Sequence, residues 1–332
     1  MRARPISAHR PLTPLNEAER RRHKIRNVVQ SVVLLGGMTL LLAFCGWMVF
    51  GPDGMIGLGL GAVLALLLAP RISPHMVLRM YGASELRPEQ LPEVFAIVNE
   101  LARRAGLRRH PRLFYVPSAM LNGFAVGDRE EAAIALTDGL LRQLSLRELA
   151  GVLAHEISHI RNNDLWLMSL ADLVGRLTQL MTFAGVFLLI VSLPVWLSGR
   201  ASVPLALVLV LMFAPQLALL LQLALSRARE FDADLDAAGL TGDPLGLASA
   251  LVRLERYQRR LWQQILLPGY SLPEPSILRT HPPTEQRVAR LRALAWQEGA
   301  RPMPVFESDA APTHAFGGRQ VSTPPRWRLL GH

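Results

Sequence analysis

The chain has 332 residues, half of them hydrophobic, and a formal charge of +10 at pH 7. A mean hydropathy above zero excludes a disordered chain and is too high for an ordinary soluble enzyme, so membrane spans are expected. The positive charge is carried almost wholly by Arg, with Lys24 the only lysine, and it clusters beside apolar runs without interleaved aromatics. That placement argues for membrane topology and against a nucleic-acid partner. Cys45 is the only cysteine, which excludes an internal disulfide and a cysteine-based zinc site.

Residues 1–27 are polar and basic, ending in Arg20-Arg21-Arg22-His23-Lys24. The apolar run 28–50 that follows is too long for a signal-peptide core and lacks a small-residue cleavage site, so it reads as an uncleaved first span. A turn at Gly51-Pro52-Asp53-Gly54 leads to a second apolar run, 55–70, giving a transmembrane hairpin over 28–70. Gly57, Gly59 and Gly61 lack the strand and acidic partner of a nucleotide site and read as a helix contact.

Residues 71–176 have the composition of a soluble domain. An amphipathic helix is expected over 89–105, strands over 112–116, 124–126 and 132–136, and a turn at 127–129. Ser145 and Glu148 then form a capping box, followed by Leu146, Leu149, Val152, Leu153 and Ile157 at helical spacing. Inside that helix stands His155-Glu156-Ile157-Ser158-His159, an H-E-x-x-H pattern. Two imidazoles four apart share a helix face and can grip one divalent ion, while Glu156 can reach a water at its open position. This is the outline of a metal-dependent hydrolase. A small sheet beside such a helix suits a protease, because its edge can hold substrate backbone as an added strand.

Two further apolar runs, 177–197 and 204–225, form a second hairpin joined by Ser198-Gly199-Arg200. A third metal ligand must lie on the same membrane side as His155 and His159, so an even number of crossings must separate them. The first acidic cluster to satisfy this is Ser226-Arg227-Ala228-Arg229-Glu230-Phe231-Asp232-Ala233-Asp234, which makes Glu230 the first candidate and Asp232 and Asp234 its alternatives. Arginines crowd one side of all four spans and only Arg200 falls opposite, so the candidate site and both termini are expected in the cytoplasm. A second part of the peptidase domain occupies 226–298, with helices over 244–264 and 283–297 around a Pro-rich connector. The tail 299–332 is expected to be disordered.

In this order the motifs resemble the HtpX-type membrane zinc metalloproteases, relatives of the CAAX prenyl proteases. Asn122-Gly123-Phe124-Ala125 is similar to that family's Asn-Ala-Phe-Ala strand, with Gly123 in place of alanine. Thr137-Asp138-Gly139-Leu140-Leu141 and the helix through Asp164 follow its pattern. Ser226 to Asp234 matches Ser-Arg-x-x-Glu-x-x-Ala-Asp, and Thr280-His281-Pro282-Pro283 matches Thr-His-Pro-Pro, with Arg287 following. The resemblance implies a mostly α-helical membrane protein with four transmembrane helices and a gluzincin-like α+β peptidase domain carrying a small β-sheet.

It further implies one Zn2+ per chain held by His155, His159 and Glu230, with Glu156 as general base and Asp234 orienting a zinc histidine. His281 is the candidate oxyanion donor. Asp164 and Arg227 are motif residues expected beside the site, and Asn122 either bonds substrate backbone or begins a turn. The expected activity is cleavage of peptides or membrane proteins, misfolded ones among them, at the inner face of a bacterial membrane. A dedicated processing peptidase and a non-enzymatic zinc-binding scaffold are the competing readings.

Overall fold

A computed structural model describes residues 17–68, 74–199, 204–265 and 284–298. The first helix, α1 (Glu17–Leu68), is interrupted at Gly51, whose φ of 70° and ψ of −155° are non-helical and open to glycine. Helix resumes at Pro52, where a first-turn proline sacrifices no hydrogen bond. The expected turn over residues 51–54 is thus confined to Gly51, and the two expected apolar runs are the two arms of α1.

The element order continues with α2 (Pro74–Met80), β1 (Ser84–Glu85), α3 (Pro92–Ala105), β2 (Arg112–Val116), β3 (Gly123–Val126), β4 (Ala133–Thr137), α4 (Asp138–Gln143) and α5 (Leu146–Asn162). Then come α6 (Asp164–Leu197), α7 (Leu205–Thr241), α8 (Pro244–Ile265) and α9 (Thr284–Glu298). Among the described residues three helices are long and apolar enough to cross a membrane: Val29–Asp53 within α1, Asp164–Pro194 within α6, and all of α7. The expected span over 55–70 is not one of these three.

Both later helices outrun the apolar runs within them. α6 begins at Asp164 rather than 177, and α7 continues past residue 225 to Thr241. Hydropathy marks where lipid ends, whereas the stretch from Ser226 to Ala238 contains neither Gly nor Pro and has no reason to stop being helical. The acidic cluster therefore rides on a rigid extension of a membrane helix. The membrane arm of α1 lies along the other two spans: Met38 and Leu42 pack with Ala171, Val174 and Leu225, and Cys45 packs with Leu211 and Ala214. At Gly185 a β-carbon would come within 2.8 Å of Leu211 Cβ, so the small residue permits this close helix crossing.

The sheet has the order β1-β2-β4-β3, with β2 parallel to β4 and the pairs β1/β2 and β3/β4 antiparallel. β3 is consequently an edge strand, with Phe124 opposite Ala135 and Ala125 opposite Ile134. One face is covered by α3 and α5 through Val94, Ile97, Leu101, Leu113, Ile134, Leu136 and Leu153, and the other by Leu78 of α2 against Phe114 and Phe124. Gly139 explains its place in the Thr-Asp-Gly motif, because a β-carbon there would fall 2.2 Å from the carbonyl oxygen of Ala119.

Candidate active site

α5 forms where the capping box requires it. The Ser145 side chain accepts the Glu148 N–H, and Glu148 reaches back to the Ser145 backbone. Leu149, Leu153, Ile157 and Ile160 are buried in the core, which turns His155 and His159 toward α7. The helix ends at Asn163 in the left-handed region (φ 60°, ψ 30°), a conformation asparagine tolerates better than most residues. That sharp corner starts α6 at once, so Asp164 returns to His159.

His155 Nε2 and His159 Nε2 face each other at 3.1 Å. Glu230, delivered by α7, brings Oε2 to 3.4 Å from the first and Oε1 to 3.6 Å from the second. One donor atom from each of the three side chains lies within 4.8 Å of the others. The opposite ring nitrogens are occupied: His155 Nδ1 lies 3.1 Å from Asp234 Oδ1, and His159 Nδ1 lies 3.0 Å from Asp164 Oδ2. Carboxylates at Nδ1 leave the Nε2 lone pairs aimed inward at each other and at Glu230, an arrangement that repels itself unless a cation lies between. Burial pushes the pKa of both imidazoles down, but Asp234 and Glu230 at His155, and Asp164 and Glu230 at His159, outweigh it and hold both above the ordinary histidine value. The donor set fits a metal ion.

Each carboxylate behind a histidine is itself held by an arginine. Arg287 of α9 donates to Asp234 through Nε at 2.7 Å and Nη2 at 2.6 Å, and its Nη1 lies 3.0 Å from Glu230 Oε2. Arg229 places Nη1 3.3 Å from Asp164 Oδ1 and Nη2 3.5 Å from Asp232 Oδ2. Both guanidinium groups are buried. These two arginines were not singled out for a role from sequence, although Arg229 lies inside the Ser226–Asp234 motif and Arg287 follows the Thr-His-Pro-Pro element. Burial of a charge depends on partners remote in the chain, so spacing does not expose it.

Glu156 is half-buried, and its Oε2 accepts the Ala125 N–H of β3 at 2.9 Å. Asn122 is buried, and its described bonds are backbone ones to Thr137 that pin the start of β3 to β4. Arg227 is exposed, and the arginine that reaches the site is its neighbour Arg229. Asp232 meets that arginine. His281 lies outside the described residues.

Residues 88–295 match the model of peptidase family M48. The chain is 38% identical over 299 residues to a protease HtpX homolog of Acaryochloris marina, covering 85% of this chain and 99% of the relative. To a protease HtpX homolog of Ralstonia pickettii it is 37% identical over 290 residues, covering 83% and 99%. The crystal structure of S. mikatae Ste24p is similar with a TM-score of 0.44 at 22% identity, over 81% of this chain and 66% of that one. A family match over more than half of the chain, and relatives of nearly full coverage, leave one conclusion from this geometry: the chain belongs to peptidase family M48 and is an integral membrane metalloprotease.

Proposed function

We propose that this is a zinc-dependent endopeptidase that crosses the bacterial inner membrane four times and cleaves segments of membrane proteins, misfolded or damaged ones among them, at the cytoplasmic face. The observation that carries the reading is the inward-facing set of His155, His159 and Glu230, two imidazoles and one carboxylate, a donor set suited to a catalytic zinc that keeps one position open. When bound, zinc polarises the substrate carbonyl and lowers the pKa of a water to about 7.

The remaining work falls to side chains of this chain. With Oε2 of Glu156 held by the Ala125 N–H, Oε1 is the oxygen that takes the proton of the attacking water and returns it to the leaving amine. A substrate segment added along the edge strand β3 would run beside Glu156, which is how an extended peptide meets the general base. Asp234 and Asp164 keep the ligand imidazoles in the Nε2-binding tautomer. His281, six residues before Arg287, is the proposed donor to the developing oxyanion. The fold around this site is gluzincin-like in carrying its third ligand as a glutamate on a later helix.

Chain reach supports the fourth crossing. Met38 packs beside Leu225 and Leu221, so Gly51 stands roughly 30 Å along the bundle from the level of Glu230. Pro74, however, is buried against the peptidase sheet beside Gly127. The second arm of α1 is roughly 25 Å long and the link from Leu68 to Pro74 can bridge about 20 Å at most. An arm that doubles back toward the peptidase domain would make that connection. The excess of arginine on this side supports the cytoplasmic orientation.

The deciding experiment measures zinc content together with casein or self-cleavage in detergent for the wild type and Glu156→Gln. One zinc in both proteins with cleavage only in the wild type is expected. A variant that still cleaves at the wild-type rate removes Glu156 as general base, and a wild type that binds zinc but cleaves nothing favours the scaffold reading.

A further inference from the structure

The outer face of α2 has no role in the site. Pro74 and Leu78 are buried and Val77 is half-buried, packing the inner face onto Phe114, Phe124 and Tyr81. Outward, Met76 and Met80 are 64% and 78% exposed, one helical turn apart, with Arg79 between them and His75 alongside. These four residues line an open cleft of about 500 Å³. Arg112 of β2 stands beside it, with Nη2 3.0 Å from His75 Nε2. The cleft thus presents Arg79 beside two long apolar side chains, with the Arg112 guanidinium adjoining at His75.

Position supplies the occupant. α2 begins only five residues after the 69–73 link opens at the end of α1, and with that arm as the second crossing the short link would hold α2 at the membrane surface. A short helix with apolar tips and arginines at the headgroup level matches the lipid interface, where methionines enter the hydrocarbon boundary and arginines meet phosphate. We propose that the outer face of α2 docks anionic phospholipid, with Met76 and Met80 inserted and Arg79 and Arg112 on the headgroup phosphate. The same helix packs on Phe124 of the edge strand, so lipid docking holds that edge facing the bilayer surface, where membrane-borne substrate segments emerge. This rests on the four-crossing reading.

The test uses the full chain in nanodiscs, with Cys45→Ala and a single fluorophore at Met80→Cys. Lipids carrying a nitroxide near the headgroup should quench it, more strongly when phosphatidylglycerol is mixed with phosphatidylcholine. Arg79→Gln and Arg112→Gln should each weaken the phosphatidylglycerol-dependent insertion about fivefold, equivalent to ~1 kcal/mol of surface attraction per arginine. A label at Arg103→Cys on α3 serves as the water-exposed control. A Met80 label as unquenched as that control overturns the docking, and quenching indifferent to both phosphatidylglycerol and the arginines overturns the anionic specificity. A label at Leu60→Cys, quenched by nitroxide deep in the acyl chain, separates the two readings: without that quenching the second crossing fails and the proposal falls with it.

Discussion

Arg287 grips Asp234 with two parallel hydrogen bonds, Nε to Oδ2 at 2.7 Å and Nη2 to Oδ1 at 2.6 Å, and the carboxylate so fixed stands 3.1 Å from His155 Nδ1. α9 is thereby tied to the back of a metal-ligand candidate on α5 through a residue of α7. Arg290, one turn further on, stacks over the Phe231 ring at 3.7 Å and seats the same helix. Arg287→Ala leaves Asp234 and Glu230 buried without their cation and should lower metal affinity about 10- to 100-fold, the range typical for such supporting residues. Arg287→Lys should recover only part of this, since an ammonium cannot repeat the paired geometry. Competition with a graded chelator reads the affinity directly; unchanged retention in Arg287→Ala would detach α9 from the metal site.

Close approach of backbones gives a second expectation. Gly151 faces α8, and a β-carbon there would lie 2.8 Å from both N and Cα of Leu247. Those are main-chain atoms, so α8 itself has to move. Gly151→Ala should cost about 1–3 kcal/mol by overpacking, despite the better helix propensity of alanine. Thermal unfolding in detergent should fall by a few degrees, accompanied by faster tryptic cleavage within α8. The distance from Gly151 to His155 is one helical turn, so metal affinity should decline as well.

Much of this arrangement was legible because it is local. The capping box at Ser145 and Glu148 starts α5 where the pattern places it, and strand 112–116 and the helix near 244–264 keep their expected extents to within a residue or so. Juxtaposition of Glu230 with the two histidines followed from a topological requirement rather than from spacing. Three things were not legible. α2 and β1 are too short for periodicity to reveal, and their conformations depend on packing against the sheet. The continuation of α7 through the acidic cluster is invisible to hydropathy. Choosing between Arg227 and Arg229 is a matter of helical phase, 200° apart on one helix, and only the packing of α6 decides which is buried.

Metal removal should report on the fold as well as on activity. His155, His159 and Glu230 join α5 to α7, so an ion held between them ties two helices that the chain separates by the α6–α7 membrane hairpin. At a thousandfold excess over its dissociation constant a ligand stabilises by about 4 kcal/mol. Chelation should lower the unfolding temperature of the wild type and of Glu156→Gln equally, because Glu156 bonds Ala125 and does not belong to the donor set. Glu230→Ala should show no response to added zinc. A zinc-dependent shift that survives in Glu230→Ala would move the third ligand elsewhere, with Asp232 and Asp234 the first positions to examine.

The two arginines of the Ser226–Asp234 segment make the sharpest contrast, since they have the same chemistry and are two residues apart. Arg229 is buried between Asp164 and Asp232, and Asp164 is 1% exposed with its second oxygen on His159. Arg229→Ala strands a buried carboxylate, a change that costs about 3–5 kcal/mol when one partner of such a pair is removed. Part of that cost should appear as lost metal affinity, because Asp164 can then tilt away from His159 Nδ1 and cease to orient the ring. Asp164→Asn combined with Arg229→Ala removes both charges and should recover stability without recovering affinity. Arg227→Ala, at an exposed position, should change unfolding by less than about 0.5 kcal/mol and leave zinc binding untouched. Equal effects of Arg227→Ala and Arg229→Ala on zinc retention would mean that charge near the membrane surface, and not the hold on Asp164, is what the site draws from this segment.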